Sequence, residues 1–151
     1  MSSVTVKVST IIDAAPEEIY DVVGDYLEGH HAIMPKKYFP GLVVEKGGKG
    51  IGTVVRVTAR FMGQKRTTRL EVIEAERGRW ILEREVETGQ TTTSYKFEPL
   101  NGGQQTLLSI ATVTNAGAGF KAFIENLLTP PAMRRMYNAE LRQIADYFRA
   151  Q

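Results

Sequence analysis

The stretch that decides the fold is IDAAPEEIYDVV, residues 12–23. It lies where a strand pattern gives way to a helix pattern. Over residues 3–9, valines alternate with serine, threonine and lysine, which is the period of a half-buried strand. Pro16 suits the first position of a helix, and the two glutamates after it suit the first turn, where the helix dipole favours negative charge. The chain is therefore predicted to pass from an opening strand directly into a helix.

The remaining sequence reads as strands followed by a helical tail. A second short helix or loop is expected between Glu28 and Pro35, and residues 41–115 have strand patterns separated by glycine-containing turns. Residues 119–150 have helical apolar spacing. The apolar stripe of this tail shifts by about a third of a turn near Pro130. Because proline cannot donate to the preceding turn, a kink or break is expected there.

Composition excludes several classes of function. The 151 residues, 42% apolar and 24% charged, are typical of one globular domain, predicted to span residues 1–151. The chain has no cysteine, so a disulfide framework and a thiol nucleophile are excluded. The net charge is only +2, and lysine and arginine mostly alternate with glutamate and threonine. No nucleic-acid partner is therefore expected.

Location follows from the apolar runs and the N-terminus. No run approaches the roughly 18 apolar residues of a membrane span, so no stable membrane insertion is expected. The N-terminus lacks the basic-then-apolar layout of a signal peptide. A cytoplasmic location is predicted, and the oligomeric state is left open.

The first predicted hairpin assigns the faces of two strands. If Gly63-Gln64 is a two-residue turn, Arg56 lies opposite Glu71 as a favourable cross-strand pair. Residues two apart share a face of a strand. The predicted inner face carries Val55, Val57, Ala59, Phe61, Arg66, Thr68, Leu70 and Val72.

The second hairpin is assigned in the same way. With Gly89-Gln90 as its turn, Leu82 lies opposite Phe97 and Arg84 lies opposite Tyr95. The predicted inner face carries Trp80, Leu82, Arg84, Val86, Thr91, Thr93, Tyr95 and Phe97, joined by Leu108, Ile110 and Thr112 of the last strand.

Arg84 and Tyr95 form a polar focus on this mostly apolar inner face. An unpaired buried cation is unfavourable, so Arg84 needs an acid, water or a ligand. It could anchor a carboxylate, carbonyl or phenolate of a ligand through its fork of donors. Alternatively, it could pair with an internal acid such as Glu140, or a β-bulge could turn it outward.

A mostly apolar pocket with a few convergent polar groups is typical of a small-molecule site. Its entrance could be formed by six residues, although ordinary core packing explains them equally well: Met34, Tyr38 and Phe39 before the second strand, and Met133, Met136 and Tyr137 on the C-terminal helix. The predicted ligand-binding residues are Phe61, Arg66, Thr68, Trp80, Leu82, Arg84, Tyr95, Phe97, Leu108, Ile110, Leu127, Met133 and Tyr137.

Other motifs carry little chemistry. His30-His31 has no third ligand near it in the sequence, so a solvated or loop-packing pair is predicted rather than a metal site. The glycines of residues 47–52 lack the Lys-Ser/Thr ending of a phosphate loop and are typical of a flexible hairpin loop. The Gly-x-Ser-x-Gly nucleophile signature is absent. The sequence predicts no metal and no cofactor, and it leaves the catalytic residues unassigned.

The order of predicted elements and two short segments carry a family resemblance. The chain opens with a strand and the IDAAPEEIYDVV segment, continues through a helical stretch ending at Pro35 and six further strands, and ends in a long helix containing LRQI at residues 141–144. In these features it resembles the START-like, helix-grip superfamily, also called SRPBCC or Bet v 1-like. Within it, the resemblance is to polyketide cyclase/dehydrase-like or coenzyme Q-binding-like proteins. It implies an α+β fold in which a seven-stranded curved antiparallel sheet wraps around a long C-terminal helix, with two short helices after the first strand.

Three functions stay open on this scaffold. The leading hypothesis is binding, or transport, of a small hydrophobic molecule such as a lipid, an isoprenoid quinone or an aromatic metabolite. The second is a polyketide cyclase or dehydratase in which cavity polar groups such as Arg84, Tyr95 and a histidine polarise a carbonyl or move a proton. The third is a protein-interaction module. A cavity with few acid–base groups would favour binding, and an inward acid or histidine within hydrogen-bond reach of Tyr95 or Arg84 would favour the enzyme.

Overall fold

The computed structural model describes residues 3–115 and 130–150. Its elements run in the order expected for a helix-grip protein, which confirms the predicted α+β fold. They are β1 (Ser3–Ile12), α1 (Pro16–Val23), α2 (Gly29–Ile33), β2 (Gly41–Lys46), β3 (Val54–Phe61), β4 (Gln64–Glu76), β5 (Trp80–Glu85), β6 (Thr91–Leu100), a 3-10 turn (Asn101–Gly103), β7 (Gln105–Asn115) and α3 (Pro130–Arg149).

The seven strands form one antiparallel sheet in the order β1-β7-β6-β5-β4-β3-β2. β1 and β2 therefore lie at opposite edges, and α1 and α2 make the connection between them. The opening segment folds as predicted, because α1 begins with Pro16 in its first turn, followed by the two acids. Among the described residues, no helix is both long and apolar enough to cross a bilayer.

The core lies between the inner face of the sheet and the helices. α3 presents one buried stripe at helical spacing, which includes Met133, Met136, Leu141 and Ile144. Glu140 lies on the same stripe and is only 1% exposed. The predicted break near Pro130 and the apolar stripe of residues 120–128, with Leu127, fall outside the described residues.

The first hairpin has the predicted faces but not the predicted register. Its two-residue turn is Met62-Gly63, so Phe61 pairs with Gln64, and Arg56 pairs with Arg69 instead of Glu71. Both turn residues have positive φ, 53° and 81°, as a tight hairpin turn requires. The shift is two residues, and an even shift leaves every side chain on its predicted face.

The second hairpin overturns the predicted faces of β5. Leu82 pairs with Ser94 rather than Phe97, and Arg84 pairs with Thr92 rather than Tyr95. The register is displaced by three residues, and an odd displacement exchanges the two faces of the strand. Ile81, Glu83 and Glu85 are buried, Trp80 and Leu82 are half-buried, and Arg84 is exposed. The predictions for β6 are confirmed, since Thr91, Thr93, Tyr95 and Phe97 are buried.

The register of the second hairpin differs from the predicted one because the connecting turn is longer than expected. Five residues, 86–90, separate β5 from β6, whereas the sequence predicts a two-residue Gly89-Gln90 turn. The Glu85 carboxylate organises this turn by accepting the backbone N–H groups of Glu87 at 2.7 Å, Thr88 at 2.9 Å and Gly89 at 3.1 Å. Gly89, with φ of 68°, ends the turn instead of centring it.

Candidate functional site

A cavity of about 90 Å³ lies between the sheet and α3. Most of the surface of its wall is apolar, and threonine hydroxyls, one tyrosine and one carboxylate provide the polar part. The lining residues are Phe39, Val57, Ala59, Thr68, Leu70, Glu85, Thr91, Thr93, Thr112, Met133 and Tyr137. The inner faces of β3, β4, β5, β6 and β7 and the first turns of α3 therefore meet here.

Hydroxyl groups form a chain along one side of this cavity. The Tyr137 hydroxyl lies 2.7 Å from Thr112 Oγ1, which lies 2.8 Å from Thr93 Oγ1. Burial is the main cause that raises the pKa of Tyr137 to about 12, so its hydroxyl keeps its proton at neutral pH. If one of these hydroxyl–hydroxyl bonds is broken, the freed hydroxyl can donate a hydrogen bond to a ligand oxygen or accept one from a ligand hydroxyl.

The Glu85 carboxylate in the cavity wall is already committed to the turn. Burial alone would raise the pKa of Glu85, but hydrogen bonds from the Thr88 side chain and from the backbone of residues 87–89 outweigh it, and the net pKa is lowered. Glu85 is therefore an ionised structural group.

A second polar cluster lies enclosed beside the cavity. The Tyr95 hydroxyl donates to Glu140 Oε2 at 2.7 Å, and the Tyr26 hydroxyl donates to Glu83 Oε2. The four side chains are 0–4% exposed. They come from four places in the chain: α3, β6, β5 and the segment after α1. We call these four residues the acid–tyrosine cluster.

Both carboxyl groups of this cluster are weak acids. Burial raises the pKa of Glu83 to about 7, against the lowering effect of the Tyr26 hydrogen bond. Burial raises the pKa of Glu140 to about 8, and the nearby Glu83 charge adds to this effect while the Tyr95 hydrogen bond opposes it. Glu140 is therefore mostly protonated and uncharged at neutral pH.

His30 packs against the cluster as a neutral ring. It stacks on Tyr26 with ring centroids 4.5 Å apart and meets Tyr95 edge-to-face at 6.0 Å. Its Nδ1 lies 2.6 Å from the Val23 carbonyl oxygen, an atom that can only accept, so Nδ1 carries the proton. Burial lowers the pKa of His30 to about 4. His31 is exposed, and no group of three metal-ligating side chains occurs among the described residues.

Comparison with known proteins identifies the family. The family model described as "Polyketide cyclase / dehydrase and lipid transport" matches residues 3–149. The chain belongs to this family. No curated protein sequence matches it.

Several solved structures share the fold of this polyketide cyclase/dehydrase family member. The solution structure of KanY protein has 21% identity and a TM-score of 0.81 over 99% of both chains. A crystal structure from Thermus thermophilus has 21% identity and a TM-score of 0.76, covering 97% of this chain and 98% of that one. The ZhuI aromatase/cyclase from Streptomyces sp. R1128 has 21% identity and a TM-score of 0.67, with coverage of 98% and 94%.

The predicted site residues divide into five groups in this family member. Thr68, Met133 and Tyr137 line the cavity. Tyr95, Phe97, Leu108 and Ile110 are buried core residues that do not line it. Phe61 and Arg66 lie half-buried near the end of the first hairpin, outside the cavity lining. Trp80, Leu82 and Arg84 lie on the outer face, and Leu127 is outside the described residues.

The sequence prediction misses the buried acids as site residues. It considers Glu140 only as a partner for Arg84, and its predicted inner face for β5 leaves out Glu83 and Glu85. One signal for Glu140 is available, because it lies four residues after Met136 and four before Ile144 on the apolar stripe of α3. Glu140 accepts a hydrogen bond from Tyr95, so it is an inward acid of the kind that the enzyme hypothesis requires.

Proposed function

We propose that this protein binds a small, mainly apolar molecule in the cavity between the sheet and α3. The observation that carries the proposal is the composition of the cavity wall. Apolar side chains such as Phe39, Val57 and Leu70 face a chain of hydroxyls ending at Tyr137. An apolar ligand with one carbonyl or hydroxyl oxygen fits such a wall, since its oxygen is bonded while the rest leaves water.

Binding is favoured over catalysis by the titratable groups of the described cavity wall. Glu85 has a lowered pKa and is held by the turn, and Tyr137 has a pKa of about 12. Neither is matched to proton transfer near neutral pH. The carboxyls whose pKa values are near neutral, Glu83 and Glu140, do not line this cavity.

Cavity size sets what can enter. At about 90 Å³ the space is smaller than the roughly 150 Å³ engineered cavity that holds benzene. A lipid, an isoprenoid quinone or an aromatic metabolite would therefore have to displace side chains. Met133 is suited to this role because an unbranched thioether changes rotamer at low cost.

One observation favours a cyclase or dehydratase as the second candidate. Tyr95 and Glu140 form a hydrogen-bonded pair, and a carboxyl with a pKa of about 8 carries a transferable proton at neutral pH. A dehydration needs such an acid to protonate the departing hydroxyl. This function requires the substrate to reach a side chain that is 1% exposed, so the helix would have to open.

Native mass spectrometry of freshly purified protein, followed by extraction, tests for a retained molecule. The location of binding is tested with a neutral apolar fluorescent probe, N-phenyl-1-naphthylamine, and two leucine variants. Ala59→Leu fills the cavity, whereas Thr58→Leu places the same side chain on the outer face of the same strand. Loss of binding in the first variant alone supports the proposal, and equal binding in both contradicts it. Glu140→Gln should leave binding unchanged, whereas a cyclase or dehydratase would lose turnover.

A further inference from the structure

Charge is distributed unevenly over this chain. Residues 34–44 and 54–70 contain seven of the 19 lysines and arginines and none of the 17 aspartates and glutamates. The two segments are joined in space, because the Arg60 backbone N–H donates to the Tyr38 carbonyl oxygen at 2.6 Å. The rings of Tyr38 and Phe61 also stack, with centroids 6.1 Å apart. One end of the molecule is therefore basic although the net charge is only +2.

An apolar side chain stands at the apex of this basic end. Met62 occupies the turn between β3 and β4 and is 88% exposed. Its φ of 53° is unusual for a residue other than glycine, asparagine or aspartate. An exposed methionine in a strained turn contributes nothing to the core.

Four cations lie around this apex. Arg60 pairs directly with Lys65 across the hairpin, and like charges in that position are unfavourable. The Arg60 Nε donates to the Lys37 carbonyl oxygen at 3.4 Å, which holds the loop carrying Lys36 and Lys37 beside the hairpin. Within residues 3–115 and 130–150, none of these four forms an ion pair. We call the four cations and Met62 the basic tip.

Cations farther along the same strands are neutralised. Arg69 Nε lies 2.8 Å from the Glu45 carboxylate, and Arg56 Nε lies 3.8 Å from it. The repulsion between these two opposed arginines is thus relieved within the sheet. Arg60 and Lys65, the opposed cations at the basic tip, have no carboxylate beside them in this way among the described residues, so an anionic partner would reduce the repulsion between them.

We propose that the basic tip docks on an anionic lipid bilayer, with Met62 inserted among the headgroups and the cations over the phosphates. A projecting apolar residue ringed by cations combines the two attractions that hold peripheral proteins at such a surface. A protein partner fits less well, because a specific protein interface needs about 1,000 Å² of matched surface and the tip projects a single apolar side chain. The contact is peripheral and does not span the bilayer.

Docking at the tip would bring the cavity close to the bilayer. Phe39 and Ala59 line the cavity and directly adjoin Tyr38 and Arg60 in the sequence. An apolar molecule could then pass between bilayer and cavity with little exposure to water. The docking itself does not rest on ligand binding, so vesicle binding and cavity occupancy can fail independently.

Co-sedimentation of the full chain with vesicles tests the proposal. The protein should bind phosphatidylcholine vesicles that contain phosphatidylserine and should not bind phosphatidylcholine alone. Salt should release it, since the Debye length falls from about 10 Å at 0.1 M to about 3 Å at 1 M. Lys65→Gln should weaken binding about fivefold, the effect of one cation at an anionic surface. Lys7→Gln, an exposed lysine on β1, is its control and should have no effect.

The apolar contribution needs its own pair of variants. Met62→Asn keeps a residue that tolerates positive φ and should weaken vesicle binding. Ile51→Asn removes another exposed apolar residue, 68% exposed, at the opposite end of β3, and should leave binding unchanged. Circular dichroism checks folding, and Met62→Gly, which adopts positive φ without strain, serves if the first variant does not fold. Equal binding to neutral vesicles, no binding to anionic ones, or equal effects of the Met62 and Ile51 variants would each overturn the proposal.

Discussion

Replacing Glu140 with glutamine should remove a pH dependence of stability that the buried carboxyls create. Burial raises the pKa of Glu140 from 4.5 to about 8, so the folded protein holds this proton more tightly than the unfolded chain. The free energy of unfolding therefore falls as pH rises from 4.5 to about 8, and it levels off above that. Glu83 acts in the same direction up to its pKa of about 7.

His30 acts in the opposite direction at lower pH. Burial lowers the pKa of His30 from 6.5 to about 4, so stability rises with pH across that range and its contribution is complete above pH 6.5. Above that point the two carboxyls decide the slope, and Glu140 carries most of it. At about 1.4 kcal/mol per pH unit and site, they should lower the free energy of unfolding by about 2–3 kcal/mol between pH 6.5 and about 9.

Urea unfolding followed by circular dichroism at a series of pH values measures this directly. In Glu140→Gln the amide oxygen still accepts the Tyr95 hydroxyl, and only Glu83 titrates. The loss over the same window should shrink to about 1 kcal/mol or less, and the variant should be more stable than the wild type above about pH 8. Glu74→Gln, an exposed acid on β4, is the control and should parallel the wild type. A Glu140→Gln curve that also parallels the wild type above pH 6.5 would refute the reasoning.

Single substitutions that create a backbone clash or a core cavity should lower the free energy of unfolding, which urea unfolding measures for each variant. In Gly29→Ala the new Cβ would lie 2.3 Å from the Val22 carbonyl oxygen, a backbone atom that cannot move aside, so a cost of about 3 kcal/mol is expected. Gly41→Ala, whose Cβ meets a side chain at 3.3 Å, should cost less, and equal stabilities would contradict the steric account. Ile144→Ala in the core should lower the free energy of unfolding by about 2–5 kcal/mol. Ile11→Ala, at a 56% exposed site, should lower it by less than about 0.5 kcal/mol.

The sequence predicts the element order well because each element has its own local signal. Pro16 and the acids after it begin α1, and alternation over residues 3–9 marks β1. On β6, the inner set ending in Tyr95 and Phe97 is correct because it agrees with the parity of the partner residues on β7. These signals are local, and no long-range contact is needed to interpret them.

The strand WILERE of β5 has no such signal. Both of its faces carry apolar residues and both carry charges, so its pattern cannot choose an inner face. Turn length decides the face, and Gly89 suggests a turn of the wrong length. Placing Glu83 outside also follows the general rule that acids are rarely buried.

The acid–tyrosine cluster depends on contacts that are distant in the chain. The Tyr26 hydroxyl reaches Glu83 across 57 residues, and the Tyr95 hydroxyl reaches Glu140 across 45. Burial of a carboxyl becomes tolerable only when such a donor is in place and the group keeps its proton. The sequence contains both partners of each pair but does not indicate that they meet.

The five-residue turn between β5 and β6 separates the length of a loop from the alignment of the strands it joins. Hairpin loops of two to five residues all occur, so a loop that loses one residue can still connect the same paired strands. A slip of β5 against β6 by one residue is a different change, because it would exchange Ile81 and Glu83 for Leu82 and Arg84 inside the protein, and the acid–tyrosine cluster would lose an acid and gain a cation. Insertions and deletions within 86–90 should therefore be accepted far more readily than any shift in the pairing of the strands beside them.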